Sequence, residues 1–142
     1  MTRASVADLD GRLVSVGLDV GGTKIDAVAV ASDGEIIARL RRPTGWGDDA
    51  VVSSVVDVVA DLAAEGGFAP STVGTVGVGI PGVVDSDTGR VLHAVNLGVE
   101  SLDLAGRVAA HLSVPVRIEN DVKAAALGAA ALRGISGSMA YL

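Results

Sequence analysis

The run Leu18-Asp19-Val20-Gly21-Gly22-Thr23-Lys24 constrains this chain more than any other stretch. Leu13 to Asp19 reads as a strand in which Val14, Val16 and Leu18 alternate, two glycines follow, and Ile25 to Ala31 reads as a second strand. Alternation with period two marks a half-buried strand, and paired glycines permit the backbone angles of a tight reversal. The chain is therefore predicted to open with a β-hairpin whose turn is Gly21-Gly22. Because a strand rather than a helix follows the glycines, the run does not fit a dinucleotide-binding turn. It also lacks the longer glycine-rich approach of a P-loop.

Asp33-Gly34 marks a second reversal, and Ile36, Ile37, Ala38 and Leu40 form a third antiparallel strand. Val52, Val55, Val59 and Leu62 recur at helical spacing, with Asp48 or Asp49 as the expected cap and Gly66-Gly67 as the stop. Val73 to Ile80 reads as a β-branched strand ended by Pro81-Gly82, with Val83 and Val84 extended and Ser86 to Gly89 turning. Ser101 is the expected cap of a helix carrying Leu104, Val108 and Leu112, which stops near Ser113 before Pro115. Val116 to Ile118 follows as a strand, and Asn120 or Asp121 starts an alanine-rich helix that runs to about Arg133. The order β-β-β-α-β-α-β-α predicts a mixed α/β fold whose sheet begins as a meander.

The 142 residues fit one domain, with residues 1–12 as a polar leader and 13–142 as the folded lobe. Apolar residues make up 49% and charged residues 20%, a balance that asks for a further partner surface. The chain stops at Met139 to Leu142 in what reads as the start of another strand, so truncation before a second lobe is expected. Net charge is −6, and the basic run Arg39, Arg41 and Arg42 is too short to track a nucleic acid backbone. No apolar stretch reaches the length of a membrane span, and no cysteine is available for disulfide or thiolate chemistry; a cytoplasmic protein is expected.

Two constellations carry chemistry. In the hairpin, Gly21 and Gly22 let backbone N–H groups approach a polyphosphate, while Thr23 can donate a hydrogen bond and Lys24 can offset charge. Asp19 beside phosphates would repel them unless it held Mg²⁺ or its waters. The second constellation is Glu119-Asn120-Asp121, where a strand passes into a helix. Asp121 there is either a general base kept ionised by nearby N–H groups or a helix cap without chemistry. Gly82 offers a close-approach backbone turn, and Asn96 offers both donor and acceptor to a hydroxyl-rich ligand. His93 has no His, Cys or close carboxylate set at metal-ligand spacing and reads as structural or exposed, and His111 reads as a helix surface residue.

Asp19 to Lys24, then Gly79-Ile80-Pro81-Gly82-Val83-Val84-Asp85, then Asn96-Leu97, then Glu119-Asn120-Asp121 with Ala124-Ala125-Ala126-Leu127-Gly128 occur in one order. This order resembles the N-terminal lobe of the ROK family, whose members include glucokinases of the actin-like ATPase (ribonuclease H-like) group. The resemblance covers about Val14 to Leu142. It implies an ATP- and Mg²⁺-dependent sugar kinase acting on glucose or a related hexose. Gly21 to Lys24 would line the phosphates and Asp19 would lie near Mg²⁺. Gly82, Asn96 and Asn120 would contact sugar, with Asp121 as the catalytic base.

The same resemblance places a second phosphate loop, the adenosine pocket and a structural zinc site beyond Leu142, and it implies that complete members can form homodimers. The segment alone is therefore expected to be inactive. Ala129, Val122, Val95 and Val99 depart from residues common in the family, which leaves the particular sugar open. A sugar-sensing regulator of the same family and an actin-like ATPase with a non-sugar ligand are the alternative functions. The regulator would carry a DNA-binding domain before the hairpin, for which the residues preceding Asp19 give no pattern.

Overall fold

The computed structural model describes residues 14–120. Its first three strands form the expected meander: β1 (Val14–Val20), β2 (Lys24–Ala31) and β3 (Ile36–Pro43), paired antiparallel in sequence order. The chain then crosses through helix α1 (Asp48–Gly66) to β4 (Val73–Ile80), which pairs parallel with β1. After an excursion, helix α2 (Leu104–Leu112) leads to β8 (Val116–Asn120), parallel to β4. The main sheet has five strands in the order β3-β2-β1-β4-β8.

The excursion forms a second, three-stranded sheet of β5 (Val83–Asp85), β6 (Arg90–Ala94) and β7 (Val99–Leu102) in that order. Only Val83 and Val84 of this small sheet were expected to be extended. A 3₁₀ turn at Val95–Leu97 joins β6 to β7 and carries Asn96.

One face of the main sheet supplies the core. Val14, Val16, Leu18 and Val20 of β1 join Ile25, Ala27 and Ala29 of β2 and Val76, Val78 and Ile80 of β4 in a single buried cluster. Helix α1 buries Val51, Val52, Val55, Val58, Val59, Leu62 and Ala63. A valine-rich segment of this kind has only modest intrinsic helix propensity, so its helicity rests on the burial of that face. Helix α2 buries Leu104 and Val108 and packs against α1 and β8.

Two expected caps are corrected. Gly47, not Asp48 or Asp49, is the N-cap of α1, and the aspartates occupy its first turn, where negative charge suits the helix dipole. Arg107 Nη2 donates to Asp49 Oδ1 at 2.8 Å, joining α2 to α1. For α2 the cap is Asp103, whose Oδ1 accepts from Gly106 N at 3.0 Å. Ser101 lies within β7 with φ of 59°, too early to reach the first-turn N–H groups. Asn120, offered as a helix start, is the last residue of β8. Asp121 and the alanine-rich helix lie outside the described residues.

Candidate functional site

Because β1, β4 and β8 run parallel, their C-terminal ends reach one edge of the sheet. Asp19 pairs with Gly79, Gly79 with Glu119, and Ile80 with Asn120. An α/β sheet exposes its ligand-contacting groups at this edge, where strands give way to loops. Both sequence constellations therefore meet at this edge, the turn after β1 and Asn120 at the end of β8, together with Pro81-Gly82 after β4.

The hairpin turn is closed by Gly21 N donating to Lys24 O at 2.8 Å. That N–H is thus committed to the turn, so Gly21 shapes the loop rather than offering its donor to a phosphate. Gly22, Thr23 and Lys24 are exposed. Gly22 packs so tightly on the Asn96 turn that a Cβ there would lie 3.1 Å from Asn96 O and 3.2 Å from Asn96 Cβ. The proposed phosphate and sugar sides are therefore in direct contact.

At the ends of the neighbouring strands, Asn120 Nδ2 donates to Gly82 O at 3.3 Å, linking β4 and β8. Gly82 has φ of 123°, and a Cβ would overlap the His93 carbonyl oxygen while lying 3.1 Å from Ala94 Cα. Only glycine lets the backbone turn here against β6. Gly22 meets Asn96 and Gly82 meets Asn120, and the two pairs are joined through Ala94, which lies against Gly82 two residues before Asn96. Asn96 and Gly82 are exposed and Asn120 is half-buried.

Asp19 is exposed near the end of β1 and stands directly opposite Asp26 on β2. Like charges in such a pair repel. Arg41, opposite Asp26 on β3, relieves this by donating from Nε to Asp26 Oδ1 at 2.7 Å. The hydrogen bond and charge of Asp26 raise the Arg41 guanidinium above its ordinary pKa. An exposed carboxylate at the end of a strand, beside a glycine turn, fits the needs of Mg²⁺, which is usually held by one or two carboxylates, waters and phosphate oxygens. Among the described residues no cluster of three His, Cys, Asp or Glu forms an all-protein metal site.

Sequence reasoning missed three features. Glu119 is buried, 6% exposed, and accepts from Ser86 Oγ at 2.8 Å, with Arg117 Nη2 3.5 Å from its other oxygen. Its partner Ser86 is remote in sequence, so no local pattern could disclose the pair. Trp46, 69% exposed, lies against Gly98 and walls an open groove of about 580 Å³ with His93, Val95 and Glu100. Thr44 Oγ1 is buried without a hydrogen-bond partner among the described residues. His93 is exposed with Nδ1 4.0 Å from Glu100, and His111 lies on the surface of α2, both as expected.

A five-strand mixed sheet flanked by helices, opened by this hairpin, defines a lobe of the actin-like ATPase kind. The chain belongs to the ROK family, whose model matches residues 15–139. A glucokinase from Halalkalibacterium halodurans is 32% identical over 115 residues, covering 80% of this chain and 35% of that protein. An N-acetyl-D-glucosamine kinase from Aliivibrio salmonicida is 35% identical over 80% of this chain and 37% of that protein. The chain thus spans only about a third of the length of the relatives it matches.

A solved ROK family glucokinase from Streptomyces griseus, in complex with glucose and AMPPNP, superimposes with a TM-score of 0.73. It is 32% identical, and the match covers 84% of this chain and 36% of that one. A ROK family transcriptional regulator shares the fold, with a TM-score of 0.71 at 20% identity over 84% of this chain and 30% of its own. No helix among the described residues is long and apolar enough to cross a membrane.

Proposed function

We propose that the full-length protein phosphorylates a hydroxyl of glucose or a related hexose with ATP, and that residues 13–142 form its N-terminal sugar- and phosphate-binding lobe. The observation that carries this reading is the contact of Gly22 with Asn96 at the edge where Asn120 bonds Gly82. A phosphate turn and a hydroxyl-recognising patch in contact can hold donor and acceptor side by side, the arrangement phosphoryl transfer requires. The kinship with glucokinases and N-acetyl-D-glucosamine kinases favours a sugar acceptor.

In this reading Thr23 and Lys24 bind the donor phosphates, and Asp19 would hold Mg²⁺, which supplies neutralisation of phosphate charge. Asn96, Asn120 and the Gly82 backbone orient the sugar. Asp121, the residue after Asn120, accepts the proton of the attacking hydroxyl. The sugar oxygen forms the new bond to the γ-phosphorus as the bond to the β-γ bridging oxygen breaks and ADP departs. Glu119 fixes the end of β8 through Ser86 and so steadies Asn120.

Replacing Asp121 by Asn in the full-length protein tests the chemistry. Asparagine keeps the size and capping capacity but cannot accept a proton. Turnover is expected to fall by a factor on the order of 10²–10⁴ while sugar affinity is largely retained. Near-normal turnover in a folded variant would remove Asp121 from the role of base.

A further inference from the structure

The loop between β3 and α1 touches both the hairpin turn and the Asn96 turn. At its start Thr44 N donates to Thr23 O at 3.0 Å, extending the β2–β3 ladder onto the phosphate turn. Next, Gly45 N donates to Ser54 Oγ at 2.9 Å, and Ser54 Oγ donates to Ala50 O at 2.8 Å, anchoring the loop to the first turns of α1. At its end Gly47 N donates to Leu97 O at 2.8 Å, directly beside Asn96. Between these ties the Trp46 ring lies on Gly98, where an added Cβ would fall 2.6 Å from Nε1. Gly98 has φ of 68° and ends the turn that carries Asn96.

We propose that residues 44–47 are a strap that sets the position of the Asn96 turn relative to the phosphate hairpin, and that Trp46 is its positioning residue for the sugar. This rests on the sugar-side assignment of Asn96 above. A ring left 69% exposed contributes little to the core, so its contact with Gly98 acts mainly on the turn beneath it. The turn between β6 and β7 is short and its Asn96 is exposed. Leu97 and the paired Ala94 and Val99 anchor the base of the turn in the core, and three outside supports act on it from the cleft edge: Gly22 against Asn96, Gly47 on Leu97, and Trp46 on Gly98. Two of the three belong to the strap. Withdrawing the ring frees the turn to drift from the sugar while leaving Thr23 and Lys24 in place.

Steady-state kinetics of the full-length protein with glucose and MgATP decide the matter, using Trp46→Ala, Trp46→Leu, Trp46→Phe and Asn96→Ala. Loss of one well-placed neutral hydrogen bond corresponds to roughly a three- to tenfold change in affinity. Trp46→Ala and Trp46→Leu are expected to raise the KM for glucose by about that factor, to lower kcat, and to leave the KM for MgATP within about twofold. Trp46→Phe, which keeps a flat ring on Gly98, should recover most of the loss. If Trp46→Ala fails to fold, the leucine and phenylalanine variants carry the same comparison.

An unchanged glucose KM in the tryptophan variants, beside a raised one in Asn96→Ala, would overturn the strap and leave the sugar-side assignment standing. An unchanged glucose KM in Asn96→Ala would overturn both. A lowered melting point with unaltered kinetics would make Trp46 a stability residue only, which also defeats the proposal.

Discussion

Replacing Gly82 by alanine should damage both the fold and the site, and its size can be worked out against an internal control. With φ of 123°, position 82 forces an alanine into a backbone region that costs an L-residue about 1–2 kcal/mol. The new methyl would also overlap the His93 carbonyl oxygen and crowd Ala94, and overpacking of this kind costs about 1–3 kcal/mol. The sum is roughly 2–5 kcal/mol, a large part of the ~5–15 kcal/mol that holds a typical domain together.

Gly34 supplies the control: its φ is 93°, but nothing lies within 4 Å of an added Cβ. Gly34→Ala should therefore cost only the strain, about 1–2 kcal/mol. The loss of unfolded-state freedom is the same at both positions and cancels in the comparison. Urea unfolding of the two variants measures the difference, provided the slope m is unchanged. A Gly82→Ala protein no less stable than Gly34→Ala would refute the close approach of the Pro81-Gly82 turn to β6. Since the Gly82 carbonyl accepts from Asn120, a destabilised Gly82→Ala should also bind sugar more weakly.

Lys24→Ala should raise the KM for ATP more than that for sugar, because Lys24 follows the phosphate turn; separate titrations would reject the placement if sugar binding alone changed. Glu119→Gln weakens a charge-assisted bond from Ser86 at a buried site and should cost about 1–3 kcal/mol by urea unfolding, whereas Ser86→Ala in the glutamine background should add less than it does alone. Thr44→Val replaces a buried hydroxyl that has no hydrogen-bond partner among the described residues by a methyl and should leave stability unchanged or raise it; a loss above about 1 kcal/mol would mean that the hydroxyl is satisfied. Leu62→Ala empties a fully buried site on α1 and should cost about 2–5 kcal/mol, measured the same way.

The opening hairpin was legible because Gly21-Gly22 interrupts two alternating strands, and α1 because its valines keep helical spacing. Both are local signals. The small sheet was not legible beyond Val83 and Val84: β6 places exposed Leu92 and His93 side by side between buried Val91 and Ala94, so no clean alternation marks it. The cap of α2 was misplaced because Ser101 and Asp103 are both good capping residues two positions apart, and only the fold shows that Ser101 belongs to β7 while Asp103 accepts from Gly106 N. The three motifs could be named from sequence, but their convergence depends on the parallel pairing of β1, β4 and β8. Trp46 gave no signal as a lone aromatic in a glycine loop, and its contact with Gly98 exists only through the fold.

Sugar-dependent ADP formation by the purified full-length protein tests the central claim most directly. With MgATP and a panel of hexoses that includes glucose and N-acetyl-D-glucosamine, ADP release should depend on one or a few sugars, with sugar phosphate formed in equal amount. ADP release indifferent to every sugar, or sugar binding that alters DNA affinity without turnover, would contradict the account.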